Sequence, residues 1–578
     1  MSTAKAGLPD FEYTLPADLK AAVSEAAESW EAAGKTGKLW DKDASLWTNE
    51  DESKWLDWLT IVDEQLAAVS KFKALAAEIS EDGFQYFVLL GMGGSSLCPE
   101  VFSLTFGKQS GAPELLVLDS TDPVQIKALR DKIDPARTLF CVSSKSGTTL
   151  EPTIYMQYFF EETKKLVGED AGRHFITVTD PGSKMEGTAA SHKFRGVFYG
   201  VTGIGGRYSA LSDFGMVPNA GMGLDTERFL KRASEMAAAC KQPKVAANPG
   251  VALGLILGTA AVKFERDKVT LICSDTIYDL GAWLEQLLAE STGKQGHGLI
   301  PVDREPFFTP DQYGTDRVFA YIKYANDSTQ TLDAAVEMLE TAGQPVVRIV
   351  LKDLYQLGQV FFQWEIATAV AGSVIGINAF NQPDVEASKT VTRQLTDAFE
   401  KEGALPAEAP ILYQDGIKLF TDPVNAKAIT KGSHPTLGGI IRAHIDRIQA
   451  GDYFGVLAYI PMFPEYEEKL QEIRKQITNH KHVATVMGFG PRFLHSTGQA
   501  YKGGPNSGVF LQITCDEAAD LPVPGQSYTF GVVKAAQARG DFSVLADHKR
   551  RALRVHLGPD IAAGLDRLQN LVAAGLAH

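Results

Sequence analysis

Apolar and polar positions follow two different periods along the chain. Residues 17 to 76 carry Ala, Glu, Lys and Trp at helical spacing, broken at Gly34 and Gly37, and predict a helical lead-in. From Phe84 the pattern changes to short apolar runs, Phe84–Leu90, Leu115–Asp119, Thr138–Val142 and Phe175–Val178, separated by helical segments. That alternation predicts a parallel sheet with helices on both faces. A second unit of the same kind starts after the apolar helix Gly250–Glu265, with strands expected at Val269–Cys273, Val318–Tyr324, Val346–Leu351 and Gly376–Phe380. Beyond Gly403 a Pro- and Asp-containing stretch leads to a third region. There the expected strands are Phe454–Ile460, Val483–Gly488, Gly508–Thr514, Tyr528–Val533 and Leu553–Leu557, followed by a helix over Ile561–Ala574. The expected fold class is α/β: two doubly wound parallel-sheet domains with a C-terminal α/β extension. The expected division is 1–76 lead-in, 77–249 first domain, 250–404 second domain and 405–578 extension.

Composition narrows the classes of partner. With 44% hydrophobic and 22% charged residues among 578, the chain reads as a soluble globular protein. A formal charge of −15 argues against nucleic acid and against an anionic membrane surface. Any phosphate site is therefore a local positive island. Cys98, Cys141, Cys240, Cys273 and Cys515 show no CxxC pairing, which suits free thiols in a reducing compartment better than disulfides or zinc. Residues 1–15 lack an apolar h-region, and the uncharged segment Gly250–Val262 is shorter than the ~20 residues of a membrane span. A cytoplasmic protein is expected.

Five stretches carry candidate chemistry. In Cys141–Glu151 a polar loop, Ser144-Lys145-Ser146-Gly147-Thr148-Thr149, sits between a buried strand and a helix starting at Glu151. Unpaired N–H groups at a helix N-terminus, with hydroxyls and a lysine, suit a phosphate monoester. The plain alternative is an N-capping cluster. Gly91-Met92-Gly93-Gly94-Ser95-Ser96 follows the first strand, yet Ser96 stands where a dinucleotide fingerprint has its third glycine, and Asp119 comes late for a ribose. Two hydroxyl-rich turns instead suggest one small phosphorylated ligand gripped from two sides. Gly203–Ser209 places Arg207 in a glycine frame, where it could steady an oxyanion or sit on a surface turn. Glu290 in Glu285–Lys294 could move protons if desolvated, or be plainly solvated. Lys389, one turn into a helix after Phe380-Asn381-Gln382-Pro383-Asp384, could equally be helix surface.

Taken together, Gly91–Ser95, Ser144–Thr149, Gly205–Ser209, Ala289–Lys294 and Asn381–Lys389 resemble the motifs of phosphoglucose isomerase in order and spacing. That family is built of two sugar-isomerase (SIS) domains, so the resemblance implies doubly wound SIS-type units over roughly residues 45–400. Gly490–Gln499 resembles the isomerase half of transaldolase/phosphoglucose isomerase fusions, while no stretch before Phe84 could house an eight-stranded barrel. The resemblance implies that Ser95, Ser144, Lys145, Ser146 and Thr149 hold the sugar phosphate. It further implies that Glu290 shuttles a proton between C1 and C2, that Arg207 stabilises a cis-enediolate and that Lys389 helps open the ring. No metal or other cofactor is expected, and the partner is a small sugar phosphate. Family members usually dimerise, which leaves a homodimer open. Alternatives are an isomerase of another phosphosugar, such as mannose 6-phosphate, and a non-catalytic SIS-domain sensor.

Two departures stand out. Asp384 replaces the usual glycine, adding negative charge near Lys389. The ring-opening histidine expected soon after the glutamate motif is missing, its place falling at Asp311 or Phe319. His297 is near in sequence, and His495, in a glycine-flanked polar stretch, is the candidate to replace it.

Overall fold

The apolar runs assemble into three sheets in the computed structural model, which describes residues 7–430 and 435–577. In chain order the strands are β1 (Asp10–Thr14), β2 (Tyr86–Leu90), β3 (Glu114–Leu118), β4 (Thr138–Ser143), β5 (Phe175–Thr179), β6 (Gly196–Tyr199), β7 (Lys268–Cys273) and β8 (Ile300–Asp303). They continue as β9 (Arg317–Tyr324), β10 (Val346–Leu351), β11 (Leu412–Gln414), β12 (Ile417–Phe420), β13 (Tyr453–Tyr459), β14 (Ala484–Phe489), β15 (Gly508–Thr514) and β16 (Arg551–His556). Sheet one runs β3-β2-β4-β5-β6, all parallel. Sheet two runs β1-β10-β9-β7-β8, parallel except for the antiparallel edge strand β1. Sheet three runs β11-β12-β16-β15-β13-β14, with β13 to β16 parallel and β11 and β12 antiparallel at one edge. The expected α/β class with doubly wound parallel sheets is therefore observed. In each sheet the winding reverses beside its first parallel strand: between β2 and β4, between β7 and β9, and between β13 and β15. In open sheets of this kind the crevice at the strand ends there receives ligands.

Two expected strands do not form. Gly376–Phe380 is irregular: Gly376, at φ 83°, ends the helix Leu357–Ile375, and the chain then continues without pairing. Its carbonyls are used by cations instead of by a neighbouring strand, as described below. Tyr528–Val533 straddles the start of the helix Phe530–Asp547, where Thr529 accepts a capping hydrogen bond from the Val532 N–H at 3.3 Å. Conversely, β1, β6, β8, β11 and β12 were not among the expected strands; all have five residues or fewer.

The core explains how the three sheets sit together. Helices Pro249–Phe264 and Leu357–Ile375 are apolar nearly all round, as helices buried on every side must be. They share one cluster with Phe87 and Leu89 of β2, Leu271 of β7 and Ile349 of β10. The third region packs onto both of the others. Val523, Tyr528, Phe530 and Val533 join Val88, Leu90, Phe140 and Val142 on sheet one. Tyr453, Leu457 and Phe493 meet Ala289, Ile300 and Val302 next to sheet two. Among the described residues, no helix is long and apolar enough to cross a membrane.

Candidate active site

Helix Leu280–Thr292 presents Gln286 and Glu290 one turn apart, hence on one face. The Gln286 amide donates to Glu290 Oε2 at 3.0 Å and to the carbonyl of His495 at 2.7 Å. The other Glu290 oxygen, Oε1, lies 3.5 Å from Arg207 Nη1. Arg207 is buried, and all three of its nitrogens donate: Nε to Ser291 Oγ and Nη1 to Gln382 Oε1, both at 2.8 Å, and Nη2 to the carbonyls of Ala379 and Asn381. Lys294 Nζ binds the same segment through the carbonyls of Asn378, at 2.7 Å, and Asn381, at 2.5 Å. Burial first, then the nearby Arg207 charge, pushes the Lys294 ammonium well below the ordinary lysine pKa. These two cations explain why residues 376–382 form no strand.

His495 enters from the third region, at the end of the turn Arg492–His495 that follows β14. Arg492 fixes that turn on sheet one, with a double contact to Glu100 at 2.6 Å and contacts to Asp119 at 2.8 and 2.9 Å. Asp119, considered above for a ribose, is thus occupied. His495 Nε2 lies 2.9 Å from Glu151 Oε1. Because a carboxylate only accepts, Nε2 carries the hydrogen and Nδ1 is left for other partners. Gln537, on helix Phe530–Asp547, donates to the same Glu151 oxygen at 2.6 Å and accepts from Thr121 at 2.7 Å. Burial works against ionisation of Glu151, but the charge and hydrogen bond of His495 together with Lys389 outweigh it and hold the carboxyl below its ordinary pKa.

A cavity of about 280 Å³ opens beside this pair. Ser146, Thr148 and Thr149 line it from the loop after β4, Lys389 from helix Pro383–Glu402, and Glu151, His495 and Gln537 from the remaining side. Thr149 occupies the N-cap position of helix Leu150–Val167, yet its hydroxyl makes no capping bond, so the plain capping alternative does not hold there. Ser146 and Thr148 are exposed and linked hydroxyl to hydroxyl at 2.8 Å. Ser144 is buried with its hydroxyl unpartnered. Lys145 does not line the cavity; its ammonium is paired with Asp180 and reaches the Thr202 carbonyl at 3.2 Å. Ser95 lies on the turn Gly93–Ser95, which packs against Gly206 and so against the Arg207 loop.

The departures resolve geometrically. Asp384 turns away from Lys389, accepting from Gln499 Nε2 at 2.5 Å, and Lys389 pairs instead with Glu386 at 2.7 Å. Phe319 is buried in sheet two, and Asp311 and His297 are exposed. Of the residues weighed for the missing histidine, only His495 stands at the cavity, beside Glu151. Glu151, Gln286 and Gln537 escaped the sequence reading. Glu151 had a signal, being a carboxylate in the first turn after the hydroxyl-rich loop; the two glutamines had none.

The family model for phosphoglucose isomerase matches residues 76–300. A glucose-6-phosphate isomerase of Carboxydothermus hydrogenoformans is 28% identical over 398 residues, covering 59% of this chain and 84% of that protein. One of Prochlorococcus marinus is 29% identical over 424 residues, covering 66% and 79%. Among solved structures, a glucose-6-phosphate isomerase from Chlamydia trachomatis shares the fold with a TM-score of 0.57 at 21% identity, over 68% of this chain and 89% of that one. Four of the five motifs fall within the matched span, Asn381–Lys389 lying beyond it: through residues 76–300 the chain carries the sequence pattern of the phosphoglucose isomerase family.

Proposed function

We propose that the chain interconverts glucose 6-phosphate and fructose 6-phosphate, a step of glycolysis and gluconeogenesis, in the cytoplasm. The observation that carries this reading is the link from Glu290 through Gln286 to His495 at the wall of the cavity that Ser146, Thr149 and Lys389 also line. All of these contacts are made within one chain.

The reaction needs a handle, a ring opener, a base and a charge. The hydroxyls of Ser146, Thr148 and Thr149 and the start of helix Leu150–Val167 receive the phosphate, which fixes the sugar remotely from the reacting carbons. His495, oriented through Nε2 by Glu151, faces the ring with Nδ1; carrying a proton there, it passes that proton to the ring oxygen as the bond to C1 breaks and the C1 hydroxyl gives up its own, and Lys389 adds positive charge on the same wall. Glu290 takes the proton from C2 of the opened aldose and returns it to C1 while a hydroxyl proton passes from O2 to O1, giving the ketose. Arg207 acts through its charge beside Glu290, since each of its nitrogens already donates, and offsets the negative charge of the cis-enediolate.

Glu290→Gln is expected to lower kcat by roughly 10²–10⁴-fold while sugar-phosphate binding survives, because a positioned acid–base group supplies about that much. Kinetics with fructose 6-phosphate and calorimetry would read the two effects; loss of binding together with activity would assign Glu290 a structural role. His495→Ala is expected to slow turnover of cyclic glucose 6-phosphate, and an unchanged rate would remove His495 from the mechanism.

A further inference from the structure

A second crevice, of about 260 Å³, lies at the C-terminal ends of β13, β15 and β16, where the winding of sheet three reverses. It is the counterpart in sheet three of the place that the Ser146–Thr149 loop takes in sheet one, beside β2 and β4. Helix Phe530–Asp547 separates the two, giving Gln537 to one cavity and Lys534, Ala538 and Arg539 to the other.

The charges lining this crevice are unevenly matched. Buried Lys534 takes both Asp122 and Glu517, each at 2.6 Å, two carboxylates to one ammonium, and Asp516 is hydrogen-bonded to the His556 ring at 3.0 Å. Lys418, Arg539 and Arg554 are left with Glu408 as the remaining carboxylate of the wall. A single oxygen of Glu408, Oε2, serves both guanidiniums, 2.9 Å from Arg539 Nε and 2.7 Å from Arg554 Nη2. Each guanidinium carries five N–H donors. Among the described residues, the one further acceptor for the pair is the Pro406 carbonyl, at 2.5 Å from Arg539 Nη2. Arg554 is 4% exposed and held flat over Phe420 at 4.3 Å, so its fork is set in advance. Glu408 is 37% exposed on the segment 405–410, which has neither helix nor strand, and can leave without breaking a ladder.

We propose that this crevice is a second binding site, for a phosphate monoester of about sugar size, whose phosphate replaces the Glu408 carboxylate between Arg539 and Arg554. A monoester brings two negative charges and three acceptor oxygens to donors that one carboxylate oxygen now shares, and paired guanidiniums suit that geometry. Phe420 and Ala538 supply an apolar side for the carbon skeleton.

The test is calorimetric titration of the full chain with glucitol 6-phosphate, which has no carbonyl and is not isomerised. Two binding events per chain are expected. Arg539→Ala abolishes one of them, Arg539→Lys weakens that one tenfold or more by losing the fork while keeping the charge, and Glu408→Gln tightens it severalfold. Lys389→Ala weakens only the other. Two events that both survive Arg539→Ala, or a single event indifferent to it, would overturn the second site. A single event lost in Arg539→Ala would support this crevice and count against sugar phosphate in the Lys389 cavity, so the two readings fail separately. Melting curves of each variant confirm that it remains folded.

Discussion

Two buried carboxylates, Glu151 and Glu365, meet similar low-dielectric surroundings and fall on opposite sides of the ordinary glutamate pKa. Glu365, inside helix Leu357–Ile375, has both oxygens buried without a partner, and burial alone pushes its pKa well above the ordinary value. The folded protein therefore favours its protonated form more than the unfolded chain does. Its raised pKa makes folding lose stability as pH rises above the unfolded value of about 4.3, by up to ~1.4 kcal/mol per pH unit until the folded group also ionises. Glu365→Gln is expected to flatten that dependence, so that thermal melts of the variant gain on the parent more at pH 8 than at pH 5. Glu151 has the opposite sign. Its lowered pKa contributes stability that is present above about pH 4.3 and lost as pH falls through the folded value. Glu151→Ala should cost kcat on cyclic substrate more than KM, by roughly tenfold or more, since it removes the acceptor that orients the ring of His495. At this scale Glu290, Arg207 and Lys389 were candidates from the sequence because each stands in a recognisable local frame. Gln537 was invisible, because a glutamine in a helix has no local mark and acquires its role only through Glu151, 386 residues away.

Among the elements, the long parallel strands were legible and the short ones were not. A run such as Thr138–Val142 is apolar at nearly every position because both faces are covered, whereas β11 is a three-residue edge strand and β12, four residues long, buries only Ile417 and Leu419. Tyr528–Val533 has the aromatic and β-branched residues of a strand, but Thr529 caps a helix there, and Phe530 stacks on Tyr155 with ring centres 6.4 Å apart. Tertiary packing overrode propensity. The turn Gly93–Ser95 is a tight junction between elements. A Cβ on Gly94 would collide with the Gly206 carbonyl, and one on Gly93, at φ 56°, would lie 2.6 Å from the His495 carbonyl. Gly94→Ala is therefore expected to push the Arg207 loop away and to lower isomerase activity far more than it lowers secondary structure content, as paired kinetics and circular dichroism would register.

For the whole molecule, the third sheet is structurally part of the catalytic body. It supplies His495 and Gln537, fills one face of sheet one through Val523, Phe530 and Val533, and is pinned there by Arg492 and Lys534. Arg492→Ala leaves Glu100 and Asp119 buried without their cation, a loss of about 3–5 kcal/mol for a broken buried pair. Equilibrium denaturation should show a stability loss of that order together with reduced activity. A chain ending at Gly403 is expected to be inactive and prone to aggregate, checked by expression and assay, because the apolar cluster on sheet one would lose Val523, Phe530 and Val533 and expose Tyr155 and Tyr158, on which Phe530 packs.

The bond between Gln537 and Glu151 also has a consequence in time. A ribosome adds roughly 5–20 residues per second, so tens of seconds separate the appearance of Glu151 from that of its last partner. Until then sheets one and two can form with Glu290 and Arg207 in place, but His495 has no fixed position beside Glu151. If His495 opens the sugar ring as proposed, a nascent chain that carries only the first two sheets is expected to be silent toward cyclic sugar phosphate until the third sheet closes over it.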